Sequence, residues 1–340
     1  MTNTTINIGI IGAGRIGQVH AENLTFRIPS ANPLVIADID LKAAKSVAEK
    51  CRIPKSVQDY HELLSDPEIQ AVLICSSTDT HACIVGEAAA AGKHIFCEKP
   101  IDHTLAKIDQ ALAAVQKAGV KLQVGFNRRF DPNFARVRRA MVNGEIGEPH
   151  LLHITSRDPA PPPVEYIKVS GGIFLDMTIH DFDMARYLIG SEVTEVYTSG
   201  GVRVDPAIGA AGDLDTALIV LKFENGAIGT IDNCRKAVYG YDQRVELFGS
   251  LGAIETANNF PNAATISLSH SICRDLPLNF FMDRYTESFV LEMQAFVDSI
   301  VNDTPPPVSG IDGRIPVIMA LAARKSYDEN RPVKLAEIES

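Results

Sequence analysis

A glycine-rich hexamer near the amino terminus has the spacing of a dinucleotide-binding turn. The segment Gly12-Ala13-Gly14-Arg15-Ile16-Gly17 fits the pattern G-x-G-x-x-G, follows the apolar run Ile6–Ile11 and precedes a helical pattern. In this pattern the first glycine permits a tight turn, the second lets the backbone approach a pyrophosphate, and the third lets helix and strand pack closely. The helix start then offers unpaired N–H groups to the phosphates. A structural glycine turn is the alternative, but the surrounding strand, helix and acid favour the dinucleotide site.

That acid is Asp38, which ends the second apolar strand, Leu34–Ala37. A carboxylate at this point accepts hydrogen bonds from the hydroxyls of an adenosine ribose and repels a 2′-phosphate. The next residues, Ile39 and Asp40, supply no arginine that would neutralise a phosphate, although Lys42 is close. The residues therefore favour NAD over NADP.

Small hydroxyl residues follow the predicted strand Ala71–Cys75. Ser76, Ser77 and Thr78 lie at its carboxyl end, where ligands bind in open α/β sheets. They are placed to contact the nicotinamide ribose. Capping of the next helix by Thr78 or Thr80 explains them equally well.

A lysine stands at the end of another predicted parallel strand, His94–Cys97, in the sequence Glu98-Lys99-Pro100. A charge at this sheet edge can polarise a substrate hydroxyl or carbonyl, and a surface lysine in a βα turn is an equal alternative. Pro100 fixes the direction of the backbone, with its peptide bond either trans or cis.

A second acid and a histidine occur farther along the chain. Asp176, His180 and Asp183 stand at i, i+4 and i+7 and share one face if the segment begins a helix. An aspartate beside a histidine sets its tautomer and raises its basicity, as a general base for alcohol oxidation requires near neutral pH. On these residues alone, a capping aspartate with a structural histidine is the stronger interpretation.

The elements around these residues predict two domains. Residues 1–125 alternate strand and helix patterns with short links, which is typical of an α/β fold with a doubly wound parallel sheet, the Rossmann architecture. Residues 126–340 have longer, two-sided strands, and Asn225-Gly226 between apolar runs indicates a hairpin. The second domain is therefore predicted as α+β with a large, mostly antiparallel open sheet. Its predicted strands are His150–Ser156, Val193–Ser199, Thr216–Phe223, Ala227–Asn233, Gln243–Gly249 and Ala253–Thr256, followed by helices near Thr286–Val301 and Ile315–Asp328.

Composition excludes several classes of protein. The formal net charge of −10 disfavours nucleic acid as a partner. The first apolar run is short and broken by glycines, so it predicts neither a signal peptide nor a membrane span, and a cytoplasmic location is expected. The basic stretch from Arg128 to Arg139 is interpreted mainly as a solvated helix face, with the alternative that an arginine at its start touches a ligand. The six cysteines lack C-x-x-C spacing and are expected to be buried thiols, with no disulfide or metal site.

Taken in order, these motifs resemble the glucose–fructose oxidoreductase / inositol dehydrogenase (Gfo/Idh/MocA) family over essentially the whole chain. The resemblance rests on the glycine hexamer, Asp38, Glu98-Lys99-Pro100, Gly125-Phe126-Asn127-Arg128-Arg129-Phe130-Asp131 and Asp176-x3-His180. Within the family the chain is most similar to bacterial inositol 2-dehydrogenases, through Arg157-Asp158-Pro159 and Val238-Tyr239-Gly240-Tyr241-Asp242. It departs from them at Asn127, where methionine is expected.

The resemblance implies NAD-dependent oxidation of myo-inositol, or a close stereoisomer, to an inosose. It implies that His180 takes the proton, Asp176 orients it and Lys99 binds the reacting oxygen, with no metal needed. The implied cofactor-binding residues are Gly12, Gly14, Arg15, Ile16, Asp38, Ser76, Thr78, His81, Glu98 and Lys99. The implied substrate-binding residues are Asn127, Arg128, His153, Asp183 and Tyr239. A homotetramer assembled through the open sheets is also implied.

Two other functions remain open. One is a different dehydrogenase of the same family, acting on an aldose or another cyclic polyol. The other is a sensor that binds a dinucleotide or sugar without turnover, which the joint presence of Lys99, Asp176 and His180 disfavours because a sensor needs no base.

Overall fold

The computed structural model describes residues 5–339, which form two compact units. The first unit contains the residues up to Phe130 together with Glu287–Ile315, and the second contains Asp131–Thr286 together with the residues from Pro316 onward. The sequence pattern had suggested a single boundary after residue 125. The contacts between residues instead place the later segment Glu287–Ile315, which contains most of one long helix, in the first unit as well.

The strands in chain order are β1 Ile6–Ile11, β2 Ala31–Ala37, β3 Lys55–Val57, β4 Ala71–Ile74, β5 His94–Glu98, β6 Leu122–Gly125, β7 Pro149–Arg157, β8 Val193–Gly201, β9 Thr216–Phe223, β10 Ile228–Cys234, β11 Asp242–Gly249, β12 Ala253–Thr256, β13 Thr265–Ser267, β14 Ile272–Arg274 and β15 Val333–Lys334. The α-helices are α1 Arg15–Phe26, α2 Leu41–Cys51, α3 His61–Ser65, α4 Thr78–Ala90, α5 Leu105–Ala118, α6 Pro132–Val142, α7 Val164–Ile167, α8 Ile179–Ile189, α9 Pro206–Ala210, α10 Phe281–Arg284, α11 Thr286–Val301, α12 Gly310–Glu329 and α13 Ala336–Glu339. None of the helices within residues 5–339 is both long and apolar enough to span a bilayer.

The first unit is built on a six-stranded parallel sheet with the order β3-β2-β1-β4-β5-β6. This is the strand order of a doubly wound dinucleotide-binding fold, so the predicted fold class is confirmed. The continuous apolar runs that predicted the central strands are buried on both faces, as in Ile8, Ile10 and Leu73, which have no exposed surface.

Helix α11 contributes to the core of the first unit, which explains the divided unit. Met293, Phe296 and Val297 of this helix are fully buried in one cluster with Ile10 of β1 and Phe96 of β5. About 160 residues separate α11 from the sheet it covers, so no local pattern could have indicated the pairing.

The second unit contains a seven-stranded sheet with the order β12-β11-β7-β10-β9-β8-β15. Its neighbouring strands are antiparallel except for the parallel pair β7 and β10. The predicted hairpin is confirmed, since β9 and β10 pair antiparallel across Gly226, whose φ is +88°. Alternate residues of each strand point to opposite faces, and α8 and α12 cover only one of these faces, the inner face.

Candidate active site

The glycine loop of the first unit has the geometry that its sequence predicted. Gly12 has a φ of +104°, and a Cβ at this residue would lie 2.6 Å from the carbonyl of Cys75. A Cβ at Gly17 would lie 2.0 Å from the carbonyl oxygen of Gly12. A Cβ at Gly14 would meet no described atom within 4 Å, and no side chain caps the start of α1. A helix start without a side-chain cap is a place where backbone N–H groups can bind an anion.

Asp38 is tied directly to this loop. Its Oδ2 accepts the N–H of Ala13 at 2.7 Å, and its Oδ1 accepts the N–H of Asp40 at 2.8 Å. The carboxylate thus fixes the loop against the end of β2. Each carboxylate oxygen can accept a further hydrogen bond, so this bonding is compatible with a ribose contact.

The register of the parallel sheet brings the predicted loops to one edge. Ile11 pairs with Ile74, Ile74 pairs with Cys97, and Glu98 pairs with Gly125. The residues that follow each of these positions therefore emerge side by side at the carboxyl ends of the strands. Ligands bind at this edge of open α/β sheets.

The hydroxyl residues and the histidine after β4 are engaged with one another or with loop carbonyls. Ser76 Oγ lies 2.7 Å from Thr80 Oγ1. Thr78 is the first residue of α4, and the side chain of Ser77 before it does not cap the helix. His81 is almost fully buried, with Nδ1 2.8 Å from the carbonyl of Pro100 and Nε2 3.0 Å from the carbonyl of Ser76. The ring of His81 therefore links the loops that follow β4 and β5.

Lys99 is half-buried. It follows Glu98, whose carboxylate is hydrogen-bonded, and it precedes a cis peptide bond. The Lys99–Pro100 bond is cis, which settles the alternative that the sequence left open. Glu98 Oε1 lies 2.7 Å from Nε2 of His20 in α1, and Glu292 of α11 brings a carboxylate oxygen within 4.8 Å of both groups. This cluster brings together residues of α1, β5 and α11, and its Glu98 directly precedes Lys99 in the chain.

The cysteines are free, but three of them differ from the prediction of burial. All six thiols are unbridged. Burial raises the pKa of Cys75 and of Cys97 well above the usual range, which makes both unreactive. Cys83 and Cys273 are exposed and Cys234 is partly exposed, so the prediction of buried thiols was wrong for these three residues.

Asn127 and Arg128 lie in a short 3₁₀ turn, Asn127–Phe130, that follows β6. Each has only 5% of its surface exposed. The prediction of a solvated basic face was wrong for Arg128, although it is confirmed for Arg136 and Arg139. The remaining arginine of the turn, Arg129, pairs with Asp312 at 2.9 Å within the same unit.

In the second unit, the predicted acid and histidine lie on a helix with an unusual start. A π-helical turn, Phe174–Thr178, runs directly into α8, which ends at Gly190 with a φ of +71°. π-Helical turns within helices are frequent at functional sites. Asp176 and His180 are both partly exposed, whereas nearly every other residue of α8, including Asp183, is buried.

Asp176 is held through both of its oxygens. Tyr166 donates its hydroxyl to Oδ1 at 2.9 Å, and Nη1 of Arg235 donates to Oδ2 at 3.1 Å. The interpretation of Asp176 as a helix cap was wrong, because the N–H of Ile173 at the helix start donates to Asp213 instead. The carboxylate of Asp176 is therefore held by two side chains and does not cap the helix.

Asn233 of β10 fastens the same helix to the inner face of the sheet. It accepts the Thr178 hydroxyl at 2.5 Å and donates to the buried carboxylate of Asp181 at 2.9 Å and to the carbonyl of Ser156. These contacts fix the residues on either side of His180.

His153 lies away from this helix, and the Tyr239 hydroxyl is engaged in hydrogen bonds with other side chains. His153 alternates with the buried Leu152 and Ile154, so it lies on the outer face of the sheet, where Nδ1 is 2.7 Å from Thr230 Oγ1. The structure therefore does not bring His153 to Asp176 and His180. The hydroxyl of Tyr239 donates to Asp242 at 2.6 Å and accepts from Arg157 at 3.0 Å. Burial and the hydrogen bond to Asp242 raise the pKa of Tyr239, so the hydroxyl stays protonated.

Three residues that hold the candidate site were missed from the sequence. Arg235 follows the alternating strand β10, Tyr166 follows a proline run, and Asp213 precedes β9. Of these three, only Arg235 could have been found from the sequence. Strand alternation puts it on the same face as Ile231 and Asn233, so an arginine is directed toward the buried face.

Comparisons with known proteins match both units. A family model described as "Oxidoreductase family, NAD-binding Rossmann fold" matches residues 6–126, and one described as "GFO/IDH/MocA C-terminal domain" matches residues 134–255. A protein of Thermotoga maritima named myo-inositol 2-dehydrogenase is 50% identical over 333 residues, covering 98% of this chain and 99% of that protein.

Solved structures agree with this similarity. A probable dehydrogenase from Thermotoga maritima superposes with a TM-score of 0.96 at 50% identity, covering 98% of this chain and all of the other. A scyllo-inositol dehydrogenase from Lactobacillus casei with bound NAD(H) and scyllo-inositol superposes with a TM-score of 0.91 at 30% identity, covering 98% of this chain and 99% of the other.

Proposed function

The chain belongs to the GFO/IDH/MocA oxidoreductase family, and from this premise we propose that it oxidises myo-inositol, or a close stereoisomer, to an inosose with NAD. The observation that supports this most is the pair Asp176 and His180, which are partly exposed one turn apart on a mostly buried helix. An oriented carboxylate next to an imidazole is the arrangement of a general base.

In the proposed reaction, His180 takes the proton from the ring hydroxyl that is oxidised. Asp176 stabilises the positive charge that develops on the imidazole, and Lys99 donates a hydrogen bond to the reacting oxygen. NAD, when bound, supplies the acceptor for the hydride that leaves the alcohol carbon. Proton transfer to a positioned base contributes about 10²- to 10⁴-fold in rate.

The glycine loop fits a dinucleotide, because Gly14 leaves open space where a Cβ would otherwise project and no side chain caps the start of α1. Arg15 and Ile16 begin that helix, and the edge formed by Ser76, Thr78 and His81 extends the site toward Glu98 and Lys99. Asp38 would bind the adenosine ribose and repel the extra phosphate of NADP.

For the polyol, we assign contacts to Asn127 and Arg128 of the first unit and to Asp183 of the second. Asp183 is fully buried, and its carboxylate is assigned as a hydrogen-bond acceptor. Tyr239 is a weaker candidate because its hydroxyl is already bonded to Asp242 and Arg157, and His153 is not included.

Initial rates of NADH formation with a panel of polyols test the proposal. We expect turnover with myo-inositol, and kcat/KM with NAD exceeding that with NADP by about 10²-fold or more, because like charges brought together cost several kcal/mol. Turnover of glucose but of no inositol would contradict the substrate, and a preference for NADP would contradict the role of Asp38.

A second candidate substrate is scyllo-inositol, which the similar Lactobacillus casei enzyme contains in its structure. The two isomers differ only in the orientation of one hydroxyl. The same panel separates them by their kcat/KM values, and Asn127, where methionine was expected, is the residue most directly implicated in the choice.

The outer face of the second unit's sheet supports a tetramer. Phe248, Leu151 and Ile228 are neighbours in the register of β11, β7 and β10, and form an apolar row with exposures of 43%, 52% and 44%. A contiguous apolar row on an uncovered sheet face is typical of an interface, and symmetric assemblies bury such faces against one another.

Replacing the central residue of that row tests the assembly. We expect the wild-type protein to have the mass of four chains in light scattering, and Leu151→Lys to give smaller species, because it would place a charge in the interface. Val142→Lys is the matched control, since Val142 is exposed on α6 rather than on the sheet. A monomeric wild-type protein would rule out the tetramer.

A further inference from the structure

Arg235 is a buried arginine that contacts Asp176, the acid assigned to support the candidate general base His180. Only 1% of its surface is exposed, and its guanidinium lies between two carboxylates of the same unit. Nη1 is 3.1 Å from Asp176 Oδ2, and Nη2 is 3.5 Å from Asp213 Oδ2. A buried guanidinium is costly to desolvate and is weak grounds for inferring stability, so its presence at this point calls for another reason.

Asp213 connects Arg235 to the start of the helix that carries Asp176 and His180. Its other oxygen, Oδ1, accepts the N–H of Ile173 at 3.0 Å. A Cβ at Gly172 would lie 2.7 Å from that oxygen, so the glycine allows the carboxylate to approach. Arg235 is thus linked to the helix twice, through Asp176 directly and through Asp213 at the helix start.

The backbone of Arg235 is fixed as well. Its N–H donates to the carbonyl of Asp215 at 2.8 Å. Burial opposes ionisation of the Asp215 side chain, but hydrogen bonds from the backbone N–H groups of residues 203–205 hold its pKa below the usual value. The guanidinium is therefore presented from an anchored piece of chain.

One donor on each oxygen determines the plane of the Asp176 carboxylate. Tyr166 bonds Oδ1 and Arg235 bonds Oδ2, so rotation of the carboxylate would break one of these bonds. A charge that stabilises a transition state acts best when it is held in place beforehand.

We propose that Arg235 is a positioning residue, which holds the Asp176 carboxylate as an oriented anion so that it stabilises the imidazolium of His180 during oxidation. This inference rests on the proposed function. Arg235 does not touch the substrate in this scheme, and its effect on rate passes entirely through Asp176.

A double-mutant cycle tests this directly. Arg235→Met, Asp176→Asn and the double variant are compared with the wild type, using the polyol that the wild type oxidises fastest. We expect Arg235→Met to lower kcat about 10- to 100-fold, as is common for residues that orient a functional side chain, with little change in KM for NAD. On the Asp176→Asn background the same substitution should cost no more than about twofold, because no carboxylate anion remains to be oriented.

Three features of the experiment separate a loss of positioning from other causes of a lower rate. Rates are referred to the concentration of NAD-binding sites, measured by titration, so partial unfolding does not imitate a loss of kcat. Arg235→Lys keeps the charge and should recover part of the lost rate. Arg186→Met is the matched control, since Arg186 is a buried arginine on α8 that pairs through two bonds with Glu192, and its loss should leave kcat per site unchanged.

Equal losses of kcat on both backgrounds, or a wild-type rate in Arg235→Met, would overturn the role of Arg235. These outcomes are distinct from a failure of the proposed function. If the wild type oxidises another polyol, the substrate assignment is wrong and the cycle is measured with that polyol. If it oxidises none, the proposed function and the inference built on it are both wrong.

Discussion

His180→Ala is expected to lower kcat by about 10² to 10⁴, the contribution of a positioned general base, while NAD binds with its normal affinity. The residues assigned to the dinucleotide belong to the loops after β1, β2, β4 and β5, and His180 belongs to a different helix in the other unit. Stopped-flow or steady-state rates with the preferred inositol give kcat, and isothermal titration calorimetry gives the affinity for NAD.

The matched control is His94→Ala. His94 is also half-buried, but it begins β5 at the opposite end of the strand from Lys99. We expect a small loss of stability from its bond to the N–H of Lys121 and an unchanged kcat. If His180→Ala kept a normal kcat, His180 would have no part in proton transfer, and a simultaneous loss of NAD binding would indicate a structural role instead.

Three glycine substitutions should separate the folding role of the first loop from its binding role. In Gly17→Ala the new Cβ would lie 2.0 Å from a backbone oxygen, so the loop must move. We expect a loss of about 1 to 3 kcal/mol in the free energy of unfolding, as for overpacked sites, together with the loss of NAD binding. Thermal unfolding and titration with NAD measure the two effects.

Gly14→Ala and Gly86→Ala complete the comparison. Gly14 has a φ of −68° and open space around its Cβ position, so its substitution should preserve stability but weaken NAD binding, because the added methyl group occupies the space needed by the pyrophosphate. Gly86 lies inside α4 with open space and should gain up to about 1 kcal/mol of stability without any effect on NAD. Normal NAD binding in Gly14→Ala would remove the pyrophosphate from this loop.

A feature could be predicted from the sequence when the residues that form it lie close together in the chain. The glycine hexamer predicted its own turn, since φ preference and close approach are local properties. The Asn225-Gly226 pair predicted the hairpin for the same reason. The spacing of Asp176 and His180 correctly placed both residues on one helix, although its π-helical start left no mark in the sequence.

The residues that flank His153 in the sequence already indicate the direction of its side chain. The apolar residues Leu152 and Ile154 on either side of it already indicate that its side chain points away from the core. The resemblance to a family placed His153 among substrate contacts, whereas strand alternation places it with Thr230 on the outer face.

By itself the sequence determined the element types and the glycine turn, because periodicity and turn geometry are written in neighbouring residues. The choice of Lys99, Asp176 and His180 as candidate catalytic residues came from the family resemblance, because the residues alone left structural roles open. Only the tertiary structure decided that α11 covers the first sheet and that Arg235, 59 residues after Asp176, orients its carboxylate. Such partners are chosen by burial and charge pairing between distant segments, and a single sequence carries no distance between them.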